Sequence, residues 1–226
     1  MIVTPLLVGK TSARATNSDQ YMDKNVRNTL IWISGFIALI LGLFLHNFLA
    51  PKQLTEMQYQ ELGYFGFTER REIRPFQLVD QDGDSVGLSS VKGRWSLLFF
   101  GFTYCPDICP TTLGVLNQAM KKIEKPPSVI LVSVDPERDT PSLLKQYLVG
   151  FNPSFKGYTG EFDQIVGLAT NVNVAFGKVP GPQPGTYLVD HSASIVVVSP
   201  EGKYAGFIKA PHQAEKIATI INSLQR

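Results

Sequence analysis

The stretch FFGFTYCPDICP, residues 99–110, decides the fold of this chain, because it joins two regular elements and carries both cysteines of the 226-residue sequence. The stretch begins inside an apolar run, Trp95 to Phe102. This run is almost continuously apolar, as is typical of a strand buried on both faces. Beyond the cysteines, apolar residues recur at spacings of three and four, as on one face of a helix: Leu113, Leu116, Met120 and Ile123. The cysteines are therefore predicted to lie where a buried strand passes into an amphipathic helix.

Cys105 and Cys109 occupy the predicted start of this helix. The unpaired backbone N–H groups and the macrodipole of a helix N-terminus stabilise negative charge, so we expect both thiols to ionise readily. Residues four apart share a helix face, which directs both sulfurs to one point. Pro110 removes a backbone hydrogen bond, so the first turn is expected to be irregular.

A pair of converging thiolates has two chemical uses. It can close a disulfide, or it can bind a soft metal ion, for which copper(I) and zinc are the candidates. The alternative is that Cys105 and Cys109 are ordinary small side chains in the core. Two prolines and a strand-to-helix turn surround them, which makes these poor core positions, so we favour a functional pair.

The composition predicts one folded domain with appendages, or at most two small domains. With 44% apolar and 18% charged residues, the chain can build a hydrophobic core and is not disordered throughout. The overall charge of +2 resides in residues 1–29, which contain four basic and two acidic side chains, so the rest is neutral. This balance gives no indication of a nucleic-acid-binding surface.

A long apolar segment, LIWISGFIALILGLFLHNFLA, covers Leu30 to Ala50 and contains no formally charged residue. Its 21 residues are enough to cross the hydrocarbon core of a bilayer, so residues 30–50 are predicted to be a transmembrane anchor. A cleaved signal peptide is disfavoured, because 29 residues precede the segment and its end lacks the small-x-small cleavage pattern.

The charges that flank the anchor predict its orientation. Four Lys or Arg residues precede it and only Lys52 follows it closely, so the positive-inside rule makes residues 1–29 a cytoplasmic tail, which we expect to be mostly flexible. The domain beyond the anchor is then outside the cytoplasm, and we expect it on the periplasmic side of a bacterial inner membrane. An accessible thiol pair can be oxidised there.

The remaining sequence predicts a tether over residues 51–70 and one α/β domain over residues 71–226. The domain begins with a hairpin around the turn DQDGDS, and buried strands then alternate with amphipathic helices, which favours an α/β sandwich on a partly parallel sheet. The predicted strands are Trp95–Phe102, Ser128–Val134, Tyr187–Ser199 and Tyr204–Ile208, and the predicted helices follow the cysteines, begin at Pro141, span Glu161–Asn171 and begin at Pro211. Asp139 or Thr140 is predicted to cap the helix at Pro141, and residues 177–186, rich in Gly and Pro, are predicted to be an exposed loop.

Three further polar residues need an interpretation. His191 lies in the segment YLVDHSASIVVVS, on the same predicted strand face as Val189. A lone histidine on an inward face is more often a hydrogen-bonded core residue than a ligand, and from the residues alone we prefer that interpretation. Asp135 is explained as a turn residue at a strand end, and His212 as a surface residue at a helix start.

Three motifs, TYCPDICP, DPERDTP and YLVDHS, occur in this order over residues 71–226. Together they resemble the Sco/SenC family of membrane-anchored copper proteins, which have a thioredoxin-like fold. The resemblance implies that Cys105, Cys109 and His191 bind one copper ion. It also implies a role for Asp135, either close to these ligands or facing a partner. Two cysteines and a histidine form a soft, three-coordinate set suited to copper(I), and a weak fourth ligand would let copper(II) bind as well.

The resemblance also implies a function in assembling the dinuclear copper centre of cytochrome c oxidase. The chain would deliver copper, reduce the cysteines of its target, or do both. The implied partners are the copper ion, a copper-receiving oxidase subunit and a copper donor or thiol-reductant protein. The two cysteines are then expected to cycle between a disulfide and a dithiol, because a disulfide cannot bind copper.

Three other functions compete with this interpretation. A thiol–disulfide oxidoreductase that carries no metal is the serious alternative, although such enzymes usually separate their cysteines by two residues and need no histidine. A thiol peroxidase requires a threonine three positions before its cysteine, where this sequence has Phe102. A pure interaction domain leaves the cysteine pair unexplained.

Overall fold

The chain forms six α-helices and ten strands within the residues that this computed structural model describes, which are 24–49, 53–181, 183 and 185–226. The helices are α1 (Lys24–Leu49), α2 (Glu56–Glu61), α3 (Ile108–Met120), α4 (Pro141–Val149), α5 (Phe162–Asn171) and α6 (Ala214–Leu224). The strands are β1 (Tyr64–Glu72), β2 (Gln77–Asp80), β3 (Ser85–Gly87), β4 (Ser96–Gly101), β5 (Ser128–Ser133), β6 (Lys156–Thr159), β7 (Phe176–Pro180), β8 (Tyr187–His191), β9 (Ile195–Val198) and β10 (Lys203–Ile208).

Eight of these strands form one mixed sheet in the order β1-β10-β9-β4-β5-β6-β2-β3. Strands β4, β5 and β6 are parallel, and the other neighbours in the sheet are antiparallel. All six residues of β4 are buried, because β5 and β9 pair with its two edges and the apolar side chains on both faces enter the core. The parallel β4-α3-β5 unit and the later β9–β10 hairpin with α6 confirm the predicted thioredoxin-like α/β fold.

The predicted details of the helices and hairpins agree with the structure at several points. Strands β2 and β3 form the hairpin expected around DQDGDS. The Thr140 hydroxyl caps α4 by accepting a hydrogen bond from the backbone N–H of Leu143, and Pro141 lies in the first turn. Helix α3 packs against α6. Strand β6 was not predicted, because its four residues KGYT carry no apolar run.

The folded unit begins before the predicted boundary at residue 71. Residues Gln53–Arg226 form one compact unit, which includes most of the predicted tether. Strand β1 pairs with β10, and Tyr64 is only 4% exposed. The Tyr59 hydroxyl donates a hydrogen bond of 2.9 Å to Ser223 Oγ in α6. These contacts join residues more than 130 positions apart, so no local pattern could indicate them.

Three further predictions along the chain are corrected. Residues 177–180 of the predicted loop belong to β7, which pairs with β8 in a separate two-stranded sheet. Pro180 is compatible with this strand because proline is tolerated on a sheet edge. The predicted strand Tyr187–Ser199 is interrupted at residues 192–194, and helix α6 begins at Ala214 rather than at Pro211.

Helix α1 corresponds to the predicted anchor. Its part from Lys24 to His46 has 23 residues, and an 18-residue window in it has a mean hydropathy of 2.1, which is compatible with a single membrane span. The helix begins six residues before the predicted start at Leu30. Most of the predicted cytoplasmic tail, residues 1–23, and residues 50–52 lie outside the described part of the chain.

We expect a fragment comprising residues 71–226 to be less stable than one comprising residues 53–226. It lacks the buried Tyr64 and leaves β10 without its β1 neighbour. Burial of one large side chain contributes about 1.5–3 kcal/mol, so the loss in free energy of unfolding should be at least of that size. Urea denaturation of the two fragments measures the difference in free energy of unfolding. Equal stabilities would show that residues 53–70 act only as a tether.

Candidate metal centre

The structure brings Cys105, Cys109 and His191 together. Cys105 lies in the loop after β4, Cys109 in the first turn of α3, and His191 at the end of β8. Their two sulfurs and one ring nitrogen all lie within 4.8 Å of one another. The distance from Cys109 Sγ to His191 Nε2 is 3.4 Å. Residues 82 positions apart in the sequence therefore form one cluster of ligand atoms.

The spacing of the two cysteines predicted that they share one helix face, and the structure corrects this prediction. Helix α3 begins at Ile108, so Cys105 precedes it in a turn. The sulfurs still converge, because the backbone N–H of Cys109 donates a hydrogen bond to Cys105 Sγ over 3.4 Å. Both cysteines are free thiols, with Cys109 buried and Cys105 half-buried.

The Cys109 thiol does not ionise readily, contrary to the expectation from its place at a helix start. Its sulfur is fully buried, and loss of hydration raises the pKa of Cys109 above that of a free thiol. A backbone hydrogen bond with Phe102 lowers this pKa by less than burial raises it, and neighbouring Cys105 raises it further. In the metal-free chain Cys109 is therefore a neutral thiol.

His191 presents a lone pair to the cysteines. Its Nδ1 lies 3.2 Å from the carbonyl oxygen of Ser192, and the tautomer that donates Nδ1–H to this oxygen leaves Nε2 unprotonated towards Cys109 Sγ. Burial lowers the pKa of His191, which favours the neutral ring. The edges of Phe99 and Phe102 surround the ring, with centroids 5.9 Å and 6.1 Å away. A carbonyl that orients the second ring nitrogen is the usual arrangement around a metal-binding histidine.

Gly101, the last residue of β4, makes room for Cys109. A Cβ atom added at this glycine would lie 2.8 Å from Cys109 Sγ and 3.2 Å from side-chain atoms of Phe99 and Leu131. Only glycine therefore lets the sulfur approach the end of the strand this closely. The sequence analysis missed this residue, although a glycine directly before the FTYC segment marks a close backbone approach.

Asp139 anchors the loop that carries Cys105. The sequence suggested it as a helix cap, but the residue is fully buried and Thr140 caps α4. Its carboxylate accepts hydrogen bonds from the backbone N–H of Thr103 at 3.1 Å and from the hydroxyls of Thr103 and Ser133, both at 2.6 Å. Burial raises the pKa of Asp139, and the hydrogen bonds oppose that change.

Asp135 is buried too, and it contacts the segment that supplies His191. Its carboxylate accepts hydrogen bonds from the Arg138 Nε–H group and, at 2.8 Å, from the Tyr187 hydroxyl of β8. The side chain is about 1% exposed, which leaves no surface for a partner to touch. Asp135 thus contacts the ligand-bearing strand β8 through Tyr187.

His212 is not the exposed residue that its position suggested. It is half-buried, and its Nε2 lies 2.7 Å from the carbonyl oxygen of Ala193, in the bend between β8 and β9. Burial lowers the pKa of His212. This histidine holds the bend that follows His191 and is not part of the ligand cluster.

The three ligand atoms fit a soft metal ion. Metal–ligand bonds of about 2.0–2.3 Å place the atoms of a planar three-coordinate site about 3.5–4 Å apart, so small movements from the observed spacing suffice. Zinc usually takes four protein ligands in a structural site. Among the residues that the structure describes, the group contains no fourth Cys, His, Asp or Glu. Two sulfurs and one nitrogen therefore suit copper(I) better than zinc.

Comparison with known proteins identifies the family. The family described as SCO1/SenC matches residues 64–226. The chain belongs to the SCO1/SenC family. A putative copper-binding protein of Stutzerimonas stutzeri is 37% identical over 156 residues, which cover 67% of this chain and 76% of that protein. The bovine mitochondrial SCO2 homolog is 35% identical over 63% of this chain and 55% of its own length. The family assignment agrees with the strand β1 start at Tyr64.

Solved structures of Sco proteins share the fold. One is the crystal structure of Arabidopsis thaliana ScoI with copper bound. Its sequence is 34% identical to this one, the match covers 68% of this chain and 99% of that chain, and the TM-score is 0.64. A second structure belongs to a member of the Sco family of cytochrome c oxidase assembly proteins in which a disulfide switch was identified. It is 27% identical to this chain, the match covers 68% of this chain and 93% of that one, and the TM-score is 0.54.

We expect Gly101→Ala to destabilise the protein by about 1–3 kcal/mol, because the new methyl group overlaps Cys109 Sγ. Gly114→Ala is the matched control, since its Cβ meets nothing within 4 Å and alanine favours the helix by about 0.5–1 kcal/mol. Chemical denaturation of both variants measures the two effects. Equal stability of Gly101→Ala and the parent would show that Cys109 tolerates a side chain at this strand end.

Proposed function

We propose that this chain is a copper chaperone that binds one copper(I) ion through Cys105, Cys109 and His191 and assists assembly of the dinuclear copper centre of cytochrome c oxidase. The convergence of two sulfurs and one histidine ring nitrogen within 4.8 Å carries this proposal. Copper-bound structures of related Sco proteins support it. Binding displaces the protons of both thiols, so copper supplies the positive charge that buried Cys109 otherwise lacks.

The same site is suited to release as well as binding. Cys109 is buried, whereas Cys105 is half-buried and has the exposed side chains of Tyr104 and Ile108 beside it. A receiving protein can therefore reach Cys105 first, and its own soft ligands can replace this sulfur before the others. Exposed apolar residues next to a reactive group are typical of a surface that binds another protein.

A second function, reduction of partner cysteines, is favoured by the free thiol pair itself. The two sulfurs lie close enough to form a disulfide after a local movement, since the bond length is about 2.05 Å. The related protein with a disulfide switch supports such chemistry. In this version Cys105 attacks a disulfide of the partner and forms a mixed disulfide. Cys109 then attacks Cys105, which releases the partner as a dithiol and leaves the Cys105–Cys109 disulfide.

The location of the domain follows from the anchor. We propose that α1 is a single membrane span with residues 1–29 in the cytoplasm, so that the domain faces the periplasm of a bacterium. An oxidising compartment converts the thiol pair into a disulfide that cannot bind copper. A reductant protein must then act before copper loads, and the partners are this reductant or a copper donor and the copper-receiving oxidase subunit.

Copper titration of the full chain in detergent tests the ligand set. We expect one copper(I) per chain and no stoichiometric binding after the double change Cys105→Ser and Cys109→Ser. His191→Ala should weaken copper(II) about 100-fold or more and copper(I) by much less, since two thiolates alone can hold copper(I). His46→Ala, in the anchor helix, is the control. Unchanged copper(I) binding by the double variant would place the site elsewhere.

Rescue of cells that lack this protein separates the two functions. If the chain delivers copper, added copper should partly restore oxidase assembly and a membrane-permeant dithiol should not. If it reduces thiols, the dithiol should restore assembly and copper should not. Oxidase activity and the copper content of the purified oxidase are the measurements. A result in which neither addition helps would contradict both functions and favour a scaffolding role.

A further inference from the structure

The strand that supplies His191 is not hydrogen-bonded to the main sheet. Strands β7 and β8 form a two-stranded sheet of their own, whereas Cys105 and Cys109 follow β4 of the eight-stranded sheet. Backbone pairing therefore does not set the distance between the histidine and the two sulfurs. In the described residues this distance depends on the short link from His191 to Ile195 of β9, whose Ala193 carbonyl lies beside the His212 ring, and on side-chain contacts between β8, the cysteine loop and the loop after β5.

Arg138 contacts both ligand-bearing segments. Its guanidinium carbon lies 4.0 Å from the ring centre of Tyr187, four residues before His191 in β8. The same carbon lies 5.0 Å from the ring centre of Tyr104 and 5.8 Å from that of Phe102, both in the loop that leads to Cys105. A planar cation placed between aromatic rings of two segments attracts both.

Asp135 fixes the guanidinium in this position. The Nε–H group of Arg138 donates to one carboxylate oxygen of Asp135, and the hydroxyl of Tyr187 donates to the other at 2.8 Å. Asp135 is itself held by its backbone N–H, which donates to Ser133 Oγ at 3.1 Å. A second ion pair links Lys178 of β7 to Glu137 over 2.7 Å, in addition to the ion pair of Arg138 with Asp135.

The contacts of Arg138 are not those of a residue selected for stability alone. Its Nη2 group is buried and has no hydrogen-bond partner in the part of the chain that the structure describes. A buried donor without a partner destabilises the folded state. The Nε–H group is needed to pair the buried Asp135, but the rest of the guanidinium lies against the rings of two segments, so its placement is explained by the segments that it holds together.

We propose that Arg138, oriented by Asp135, is a positioning residue that holds His191 at bonding distance from the cysteine pair. This inference rests on the proposed ligand set. Two thiolates can hold copper(I) when the histidine is displaced, but copper(II) requires a nitrogen donor in place. The contact of Arg138 with Tyr187 therefore matters for copper(II) binding more than for copper(I) binding, and Asp135 acts through Arg138.

Metal titrations of the full chain in detergent test this role. We expect Arg138→Gln to weaken copper(II) about tenfold, with copper(I) affinity nearly unchanged, and to shift the thiolate-to-copper absorption band and the copper(II) electron paramagnetic resonance spectrum. Arg138→Lys keeps the charge beside Asp135 but loses the planar stack, so it should not restore the parent spectrum. Arg70→Gln is the matched control, because Arg70 also pairs with a carboxylate, Glu201, and lies over a ring, Trp95, on β1 and away from the site.

A double-mutant cycle provides the measurement that a purely structural role would not reproduce. Tyr187→Leu and Arg138→Gln should be non-additive in copper(II) affinity, because either change breaks the same contact. Additive effects, or equal losses for both oxidation states, would overturn the inference. Circular dichroism of the metal-free variants verifies that they fold. If Arg138→Gln does not fold, the cycle is measured with Arg138→Lys and Tyr187→Leu instead. A parent chain without cysteine-dependent copper binding would instead overturn the proposed function.

Discussion

Close contact between the Cys109 sulfur and the backbone of Gly101 is the constraint on which the site depends. Strand β4 is held in the sheet on both sides, because β5 pairs with it as far as Gly101 and β9 pairs with it as far as Phe99. Cys109 lies against the end of this strand in the first turn of α3, and its sulfur is 3.4 Å from His191. Cys105 is held in turn by the backbone N–H of Cys109. The other two ligands are thus arranged around one buried sulfur that cannot move far.

Burial and the helix N-terminus act on Cys109 in opposite directions, and burial prevails. A helix terminus stabilises a nearby charge by about 0.3–1 kcal/mol. Full burial shifts a pKa by up to about 3–5 units, and each unit corresponds to about 1.36 kcal/mol. The raised pKa of Cys109 follows from this comparison. A neutral thiol in an apolar site is protected from adventitious reactions, and a soft cation is well suited to displace its proton.

Two buried aspartates of the motif DPERDTP organise the loops around the site. Asp139 accepts three hydrogen bonds and holds Thr103, two residues before Cys105. Asp135 holds Arg138 and Tyr187 and so acts on the strand of His191. One short segment after β5 therefore contacts the segments that carry Cys105 and His191. This explains in physical terms why the motif accompanies the cysteine and histidine motifs in the sequence.

Local sequence patterns were enough to predict an α/β sandwich on a partly parallel sheet, the cysteine position after a buried strand and the apolar helix before the domain. The thioredoxin-like fold was implied by the family resemblance. The three motifs and the family resemblance also indicated the ligand set, which the residues alone did not. Only the tertiary structure decided the burial of Cys109, the need for glycine at position 101 and the contacts of Arg138. It also showed that residues 53–70 and 177–180 belong to the folded unit. These features arise between segments far apart in the chain, where no periodicity or propensity carries information about which side chains meet.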